Sequence, residues 1–298
     1  MKFPWTKKVI TAIQSAITRG VVKLPEESES KKPQKRVLLV FPVFTSVLPE
    51  AFENFTRLLL NAARYCPEWK FDVMMKTRSS VTSAMNDAVA EMLKYDAYEY
   101  MISFDDDCIP ELIDFAKNDP HRYQVIPRLL GLGALGHKIV MGVGYMKGYP
   151  HTITMARKYP WGISLVGDGD QNGLAPAYKG FYWFDNLESH KDEQDENGLI
   201  DVDWAGVPIM LVHRSVYEAL KHPYFATTDG VNDMTHDVYF CREAQAAGFR
   251  IKVDTHIDCG HIIHAPVVNR ASVADLRHLT DLKRAESQKI ASAEVVGV

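Results

Sequence analysis

Several kinds of protein are excluded by what this chain lacks. It has four cysteines in 298 residues, at 66, 108, 241 and 259, and none stand in a C-x-x-C pair. That spacing excludes a zinc ribbon and a thioredoxin-like redox centre. So sparse a set suits a reducing compartment, and a cytoplasmic location is the expectation. No apolar stretch approaches the ~20 residues that a membrane-spanning helix needs. Neither sign of charge dominates: 34 Lys and Arg face 38 Asp and Glu, a formal net charge of −4. Nucleic-acid binding over the whole surface is therefore not expected, although local patches such as His121-Arg122-Tyr123 mix basic and aromatic side chains. The early lysines are not followed by the apolar core or small-residue cleavage site of a secretory signal. No internal repeat is present.

What is there is the composition of an ordinary globular protein, 46% hydrophobic and 24% charged, long enough for one large α/β domain or two small ones. Ile10, Ile13, Ile17 and Val21 recur at helical spacing with Lys7, Lys8, Gln14 and Thr18 between them. This predicts an amphipathic helix within residues 1–24. Its apolar stripe suits packing on the main domain or on a second subunit of a homo-oligomer. With Phe3, Trp5 and the lysines it also suits a membrane surface. Residues 25–36 form a polar, charged linker. Residues 1–35 are thus expected to stand apart from a domain over 36–270, with a C-terminal helical tail over 271–298.

The domain opens with Val37–Val43, a continuous apolar run of the kind a strand buried on both faces requires. A helix is predicted over 49–65, with Phe52, Phe55, Leu58, Leu59 and Ala62 on one stripe. A strand at 70–76, a helix at 83–95, a strand at 98–104 and a helix at 111–117 follow. This alternation predicts an α/β fold whose first part is a Rossmann-like, parallel, nucleotide-binding half. The glycine-rich patch Gly131–Gly136 precedes a strand at 139–145 but has no strand before it and no helix after it, so it is not a phosphate loop. Residues 151–200 look irregular, a long surface excursion. A strand–turn–strand at 201–212, helices at 215–221 and 237–247, the second stopped by Gly248, and a last strand at 250–254 complete the domain.

The most informative residues are Asp105, Asp106 and Asp107, which end the strand-like run Tyr100–Phe104 and are followed closely by Pro110. Three adjacent carboxylates repel one another and are costly to desolvate. At the C-terminal end of a strand in an α/β sheet, where ligands bind, they gain a use. Carboxylates are hard ligands for Mg²⁺ or Mn²⁺, and such ions bridge protein to diphosphate. Strand alternation would place Asp105 and Asp107 on one side and Asp106 on the other. An acidic turn capping the next helix is the plainer alternative.

With these pieces in order, residues 36–265 resemble the GT-A glycosyltransferases, in particular the family 2-like enzymes of bacterial and phage type. Four segments carry the resemblance. Phe104-Asp105-Asp106-Asp107-Cys108-Ile109-Pro110 is similar to the family's D-x-D motif. Arg78 to Asp87 is similar to the segment that opens the helix before the D-x-D strand; Asn86 matches, while Met85 stands in the usual arginine's place and Arg78 is the candidate to replace it. Val202-Asp203-Trp204-Ala205-Gly206 is similar to the acceptor-side V-D-x-x-G segment. His236-Asp237 through Gly248 to Gly260-His261 is similar to the E-D region and its downstream histidine, with His236 where the family has Glu.

The resemblance implies a mixed central sheet, a nucleotide-sugar donor (UDP- or GDP-sugar) and a divalent cation, Mn²⁺ or Mg²⁺. It implies Asp105, Asp107 and His261 as metal ligands, with His264 the competing histidine. Phe41, Pro42 and Val43 at the end of the first strand would meet the nucleobase, with Arg78, Asn86, Asp105 and Asp106 also on the nucleotide. Asp237 would be the general base of an inverting transfer, with Asp203 near the donor sugar and acceptor. Trp204 would stack on a sugar face or pack in the core. The acceptor is open among a glycan, a lipid-linked sugar, a protein and a modified DNA base. Two other classes compete. A sugar-nucleotidyltransferase would carry a glycine-rich loop after the first strand, where Phe44-Thr45-Ser46-Val47 has no glycine. An inactive sugar-binding module would be expected to lose the acids.

Overall fold

The computed structural model describes residues 35–43, 47–77, 79–145, 153–158, 181–183, 187–227 and 235–262, with two short strand pieces at 21–22 and 267–268. Residues 1–20, most of the 25–36 linker, Arg78, His264 and the expected C-terminal helix lie outside the described residues. Val21, expected on a helical stripe, instead opens a two-residue strand, β1 (Val21–Val22), on the edge of the main sheet.

The chain is α/β, with one large mixed sheet covered on both faces. Its first half is Rossmann-like. Strand β2 (Arg36–Val43) pairs in parallel with β3 (Lys70–Thr77) on one side and β4 (Tyr98–Phe104) on the other. The connections are helices α1 (Pro49–Tyr65) and α2 (Val81–Lys94). Side-chain alternation along β2 divides the core. Leu38 and Val40 join Met85, Val89 and Met92 of α2, whereas Val37, Leu39 and Phe41 join Phe55 and Leu58 of α1. Both faces of the strand are apolar because both are covered.

Beyond β4 the sheet changes direction. Strand β11 (Ile209–His213) runs antiparallel to β4 and to β6 (Ile139–Val143). Strand β12 (Ile251–Ile262) then lies parallel to β6. A second, three-stranded antiparallel sheet is built from β7 (Met155–Lys158), β8 (Phe181–Trp183) and β10 (Trp204–Ala205). The segment expected to be irregular thus contains paired strands.

Two expected elements are corrected, and the glycine-rich patch gains a structure. Residues 111–117 are not a helix. Cys108–Leu112 is strand β5, whose residues alternate between buried and half-buried, and turns follow. Pro110 and Glu111 suggest a helix start, but cross-strand pairing with β12 decides the conformation. The glycine-rich patch lies largely within a helix, α3 (Val125–Ala134), where Gly133 is needed because a Cβ would meet the Tyr100 ring at 2.9 Å. The last strand does not stop at 254. It runs 12 residues, to Ile262.

Its course is the important feature. Residues 251–254 pair with β6 and with β9 (Leu199–Val202), the register slips between Asp254 and Asp258, and residues 257–261 pair with β5. A bulge of this kind bends a strand. Asp254, fully buried, sits at the bend and accepts from Arg128 Nε at 2.5 Å and Nη2 at 2.9 Å. Its Oδ1 also accepts from the His256 N–H at 3.0 Å.

Asn86 has a structural task. Its Nδ2 donates to the Thr82 carbonyl at 2.9 Å and the Phe225 carbonyl at 2.7 Å, while Oδ1 accepts from the N–H groups of Tyr224 and Phe225 at 2.8 and 3.2 Å. Two donors and two lone pairs are the whole capacity of an amide. Asn86→Ala should therefore cost about 2–3 kcal/mol of stability, as buried polar groups on the 224–225 segment lose their partners. Urea unfolding followed by circular dichroism measures this; a loss below ~0.5 kcal/mol would mean the clamp is not holding the segment.

Candidate active site

The acids sit where the sheet changes from parallel to antiparallel. Asp105 follows the last residue of β4, and its N–H donates to the Pro208 carbonyl at 3.0 Å. The chain then turns: Cys108 N–H reaches the Asp105 carbonyl at 3.4 Å. The three acids therefore lie in a turn, not on the pleated strand that the expected alternation assumes. Asp107 is tied to β12 through its carbonyl, which accepts from the Ile262 N–H at 2.8 Å.

His261 arrives on the bent end of β12. Its Nε2 lies 3.2 Å from Asp107 Oδ1, and its Nδ1 lies 2.6 Å from the Tyr145 carbonyl. A carbonyl only accepts, so Nδ1 carries the proton. In the neutral ring Nε2 is then the lone-pair nitrogen, aimed at a carboxylate. An imidazole anchored in this way by a backbone carbonyl is the usual arrangement of a metal-binding histidine. Tyr145 is itself held, its hydroxyl donating to Asp258 Oδ1 at 2.5 Å, so one strand positions the histidine and the residue that orients it.

The electrostatics are those of a site short of positive charge. Burial, then Asp107, push the Asp105 carboxyl up to about 7; Asp106 and Asp237 add to the rise and His261 opposes it. Asp105 is only partly buried as a residue, but its carboxyl is enclosed. The donor chemistry fits a divalent cation. Oxygen and imidazole ligands at 3.2 Å are close to the ~3 Å edge of an octahedron with ligand distances of ~2.1 Å. Asp107 and His261 are the residues placed to hold one, and Asp105 lies within electrostatic reach of both.

Asp237 lies in the first turn of α5 (His236–Ala246). Thr235 occupies the N-cap position, but its hydroxyl donates to Asp237 Oδ1 instead of capping a backbone N–H. The Val238 N–H reaches the same oxygen at 2.9 Å. Both bonds fall on Oδ1, and among the described residues nothing bonds Oδ2. Asp237 is near enough for its charge to act on Asp105.

The remaining residues are placed differently. Asp203 accepts from Gln245 Nε2 at 3.0 Å, so it meets α5 about two turns, roughly 12 Å, beyond Asp237. Phe41 stacks on Phe55 with centroids 4.9 Å apart, and Val43 is buried beside it, so their side chains belong to the core and only the strand end faces outward. Trp204 is 4% exposed and packs in the core, which removes the sugar-stacking role. Asn86 is committed to the 224–225 segment. The resemblance assigned no role to Tyr145, Asp258 or Cys108. Cys108 Sγ lies 3.7 Å from Asp107 Oδ1, and burial raises its thiol well above the ordinary range. No local pattern marks these three, because β5, β6 and β12 bring them together from separate parts of the chain.

No family model matches the chain, and no curated protein matches it. Solved structures do align. The A197 protein from STIV gives a TM-score of 0.46 at 16% identity over 76% of this chain and 86% of that one. UDP-glucose pyrophosphorylase complexed with UDP-glucose gives 0.41 at 10% identity, over 76% and 92%. A glycosyltransferase involved in the glycosylation of the major capsid of PBCV-1 gives 0.27 at 10% identity, over 82% and 98%. Likeness at this level assigns no function.

The Asp105 carboxyl supplies a test of the charge deficit. Its folded-state value, about 7, lies above the ordinary 3.8, so its ionisation destabilises the metal-free fold progressively as pH rises from near 4 to near 7. In EDTA, Asp105→Asn should melt at a higher temperature than the native protein at pH 8, and the difference should vanish toward pH 4. A difference that does not change with pH would show that the carboxyl is not strained by its neighbours.

Proposed function

We propose that the chain is a metal-dependent glycosyltransferase that moves a sugar from a nucleotide-sugar donor, a UDP- or GDP-sugar, to an acceptor hydroxyl. The observation that carries this reading is the meeting of Asp107 with His261 at the switch point of the sheet, beside an Asp105 carboxyl on which the charges of Asp107, His261 and Asp237 all act. Ligands of open α/β sheets bind at such a point, outside the carboxyl ends of the strands.

In this reading the end of β2, at Phe41-Pro42-Val43, borders the nucleobase, and the turn at Asp105–Asp107 faces the diphosphate. Asp105, Asp107 and His261 would hold Mn²⁺ or Mg²⁺, and His261 favours Mn²⁺ because imidazole is a softer ligand. A cation bound there supplies Lewis acidity to the leaving diphosphate. Tyr145 keeps His261 Nε2 turned toward Asp107. Asp237 takes the acceptor proton on Oδ2, while Thr235 and Val238 hold Oδ1 and fix the carboxylate plane. Direct attack with Asp237 as base inverts the anomeric centre. Asp203 braces the β9–β10 segment against α5 and is the second candidate base. The acceptor classes remain those named above.

Two variants test this. Asp107→Ala should abolish turnover of nucleotide sugars in Mn²⁺, as should EDTA for the native protein; full activity in either condition defeats the metal centre. Asp237→Asn should lower turnover by ~10²-fold or more with nucleotide affinity little changed. If affinity collapses and turnover survives, Asp237 binds donor or supports the fold, and Asp203 takes its place as candidate base.

A further inference from the structure

Cys108 has no part in the reaction above, yet it belongs to the same cluster. The register of β5 against β12 sets Cys108 directly opposite His261, so both side chains leave one face of the sheet. One ligand atom from each of Asp107, Cys108 and His261 falls within 4.8 Å of the others. Around Asp107 Oδ1 the spacings are 3.2 Å to His261 Nε2 and 3.7 Å to Cys108 Sγ. The His261 and Asp107 side chains keep 19% and 22% of their surface, so an ion can reach them.

Hard cations do not use the sulfur. Mg²⁺ and Mn²⁺ favour oxygen and leave a neutral thiol in place. A tetrahedral ion with N and O ligands at ~2.0 Å and sulfur at ~2.3 Å has O–N edges of about 3.3 Å and O–S edges of about 3.5 Å. The two spacings to Asp107 Oδ1 nearly match before any side chain moves, and the third pair stays within 4.8 Å. We infer that Asp107, Cys108 and His261 form a soft-metal site of the Zn²⁺ class, which overlaps the hard-cation site and competes with it. The inference rests on the reading of Asp107 and His261 as metal ligands. On loading, the Cys108 S–H bond breaks, a metal–sulfur bond forms and the proton passes to water; nothing is oxidised or reduced. Asp105 is left outside this ligand set, and a fourth position stays open. The other cysteines do not join it: the Cys259 sulfur is packed where a Cβ on Gly142 would meet it at 2.7 Å.

The test uses Co²⁺ as a spectroscopic stand-in on the full chain. The native protein with Co²⁺ should show a near-ultraviolet thiolate-to-metal charge-transfer band, and Cys108→Ser and Cys108→Ala should not. Zn²⁺ should displace Mn²⁺, followed by paramagnetic resonance of the released ion. Removing this direct ligand should weaken Zn²⁺ binding about 100-fold or more, while Mn²⁺ affinity changes by less than about 3-fold. Retained Mn²⁺ binding also shows that the variants are folded. If native protein binds Mn²⁺ but its Co²⁺ form lacks the thiolate band, or if the variants lose both metals equally, the soft site is refuted and the hard-cation centre stands. If native protein binds neither ion, both readings fall together.

Discussion

The ion pair between Arg128 and Asp254 is the constraint on which the site's geometry depends. Strand β12 must serve two partners. It continues the sheet beside β6, and it must also carry His261 to the acidic turn after β4. A straight strand cannot do both. The slip between Asp254 and Asp258 supplies the bend, and Arg128 from α3 holds it with two bonds to a fully buried carboxylate. Thr255 adds bonds from its N–H and hydroxyl to the Gly198 carbonyl, at 3.1 and 2.9 Å. Losing one partner of a buried pair leaves an uncompensated charge, which costs far more than the pair contributes when intact. Helix α3 thus acts on the candidate site without supplying a residue to it.

The bend concentrates negative charge. Asp106, Asp107 and Asp237 all act on Asp105 to raise it, and among the described groups that shift Asp105 only His261 opposes them. A fold that spends stability on such a cluster is arranged for something other than stability. The arrangement of His261 points the same way. Its proton is committed to the Tyr145 carbonyl, so its other nitrogen faces a carboxylate as a lone pair unless a second proton or a metal ion intervenes. Both features are relieved by one divalent cation.

Much of this was legible in the chain. The run Val37–Val43 and the alternation of helix and strand predicted the Rossmann-like half, because strands buried on both faces are continuously apolar. The three acids after Phe104 were legible because an apolar strand ending in carboxylates is an unusual local pattern. Other elements were not. Pro110-Glu111 has the chemistry of a helix start, and only pairing with β12 makes it a strand. Asn86 looks like a ligand contact, but three of its four bonds go to Tyr224 and Phe225, a segment well over a hundred residues away. Tyr145 acts on His261 through its carbonyl, a group that every residue type has, so no side-chain pattern could reveal it.

Helix α5 shows how one element separates two carboxylates that look alike in sequence. Asp203 and Asp237 both lie beside segments similar to those of a known enzyme class, and either could serve as a base. Asp203 is bonded to the Gln245 side chain, from near the C-terminal end of α5. Asp237 stands at the opposite end, where the helix dipole is positive and two donors fix one of its oxygens. The first carboxylate is restrained by a structural bond; the second is oriented through Oδ1, with no bond on its other oxygen among the described residues. Proton acceptance needs a lone pair in a fixed direction, and of the two residues Asp237 offers it next to the acids that would bind the leaving group.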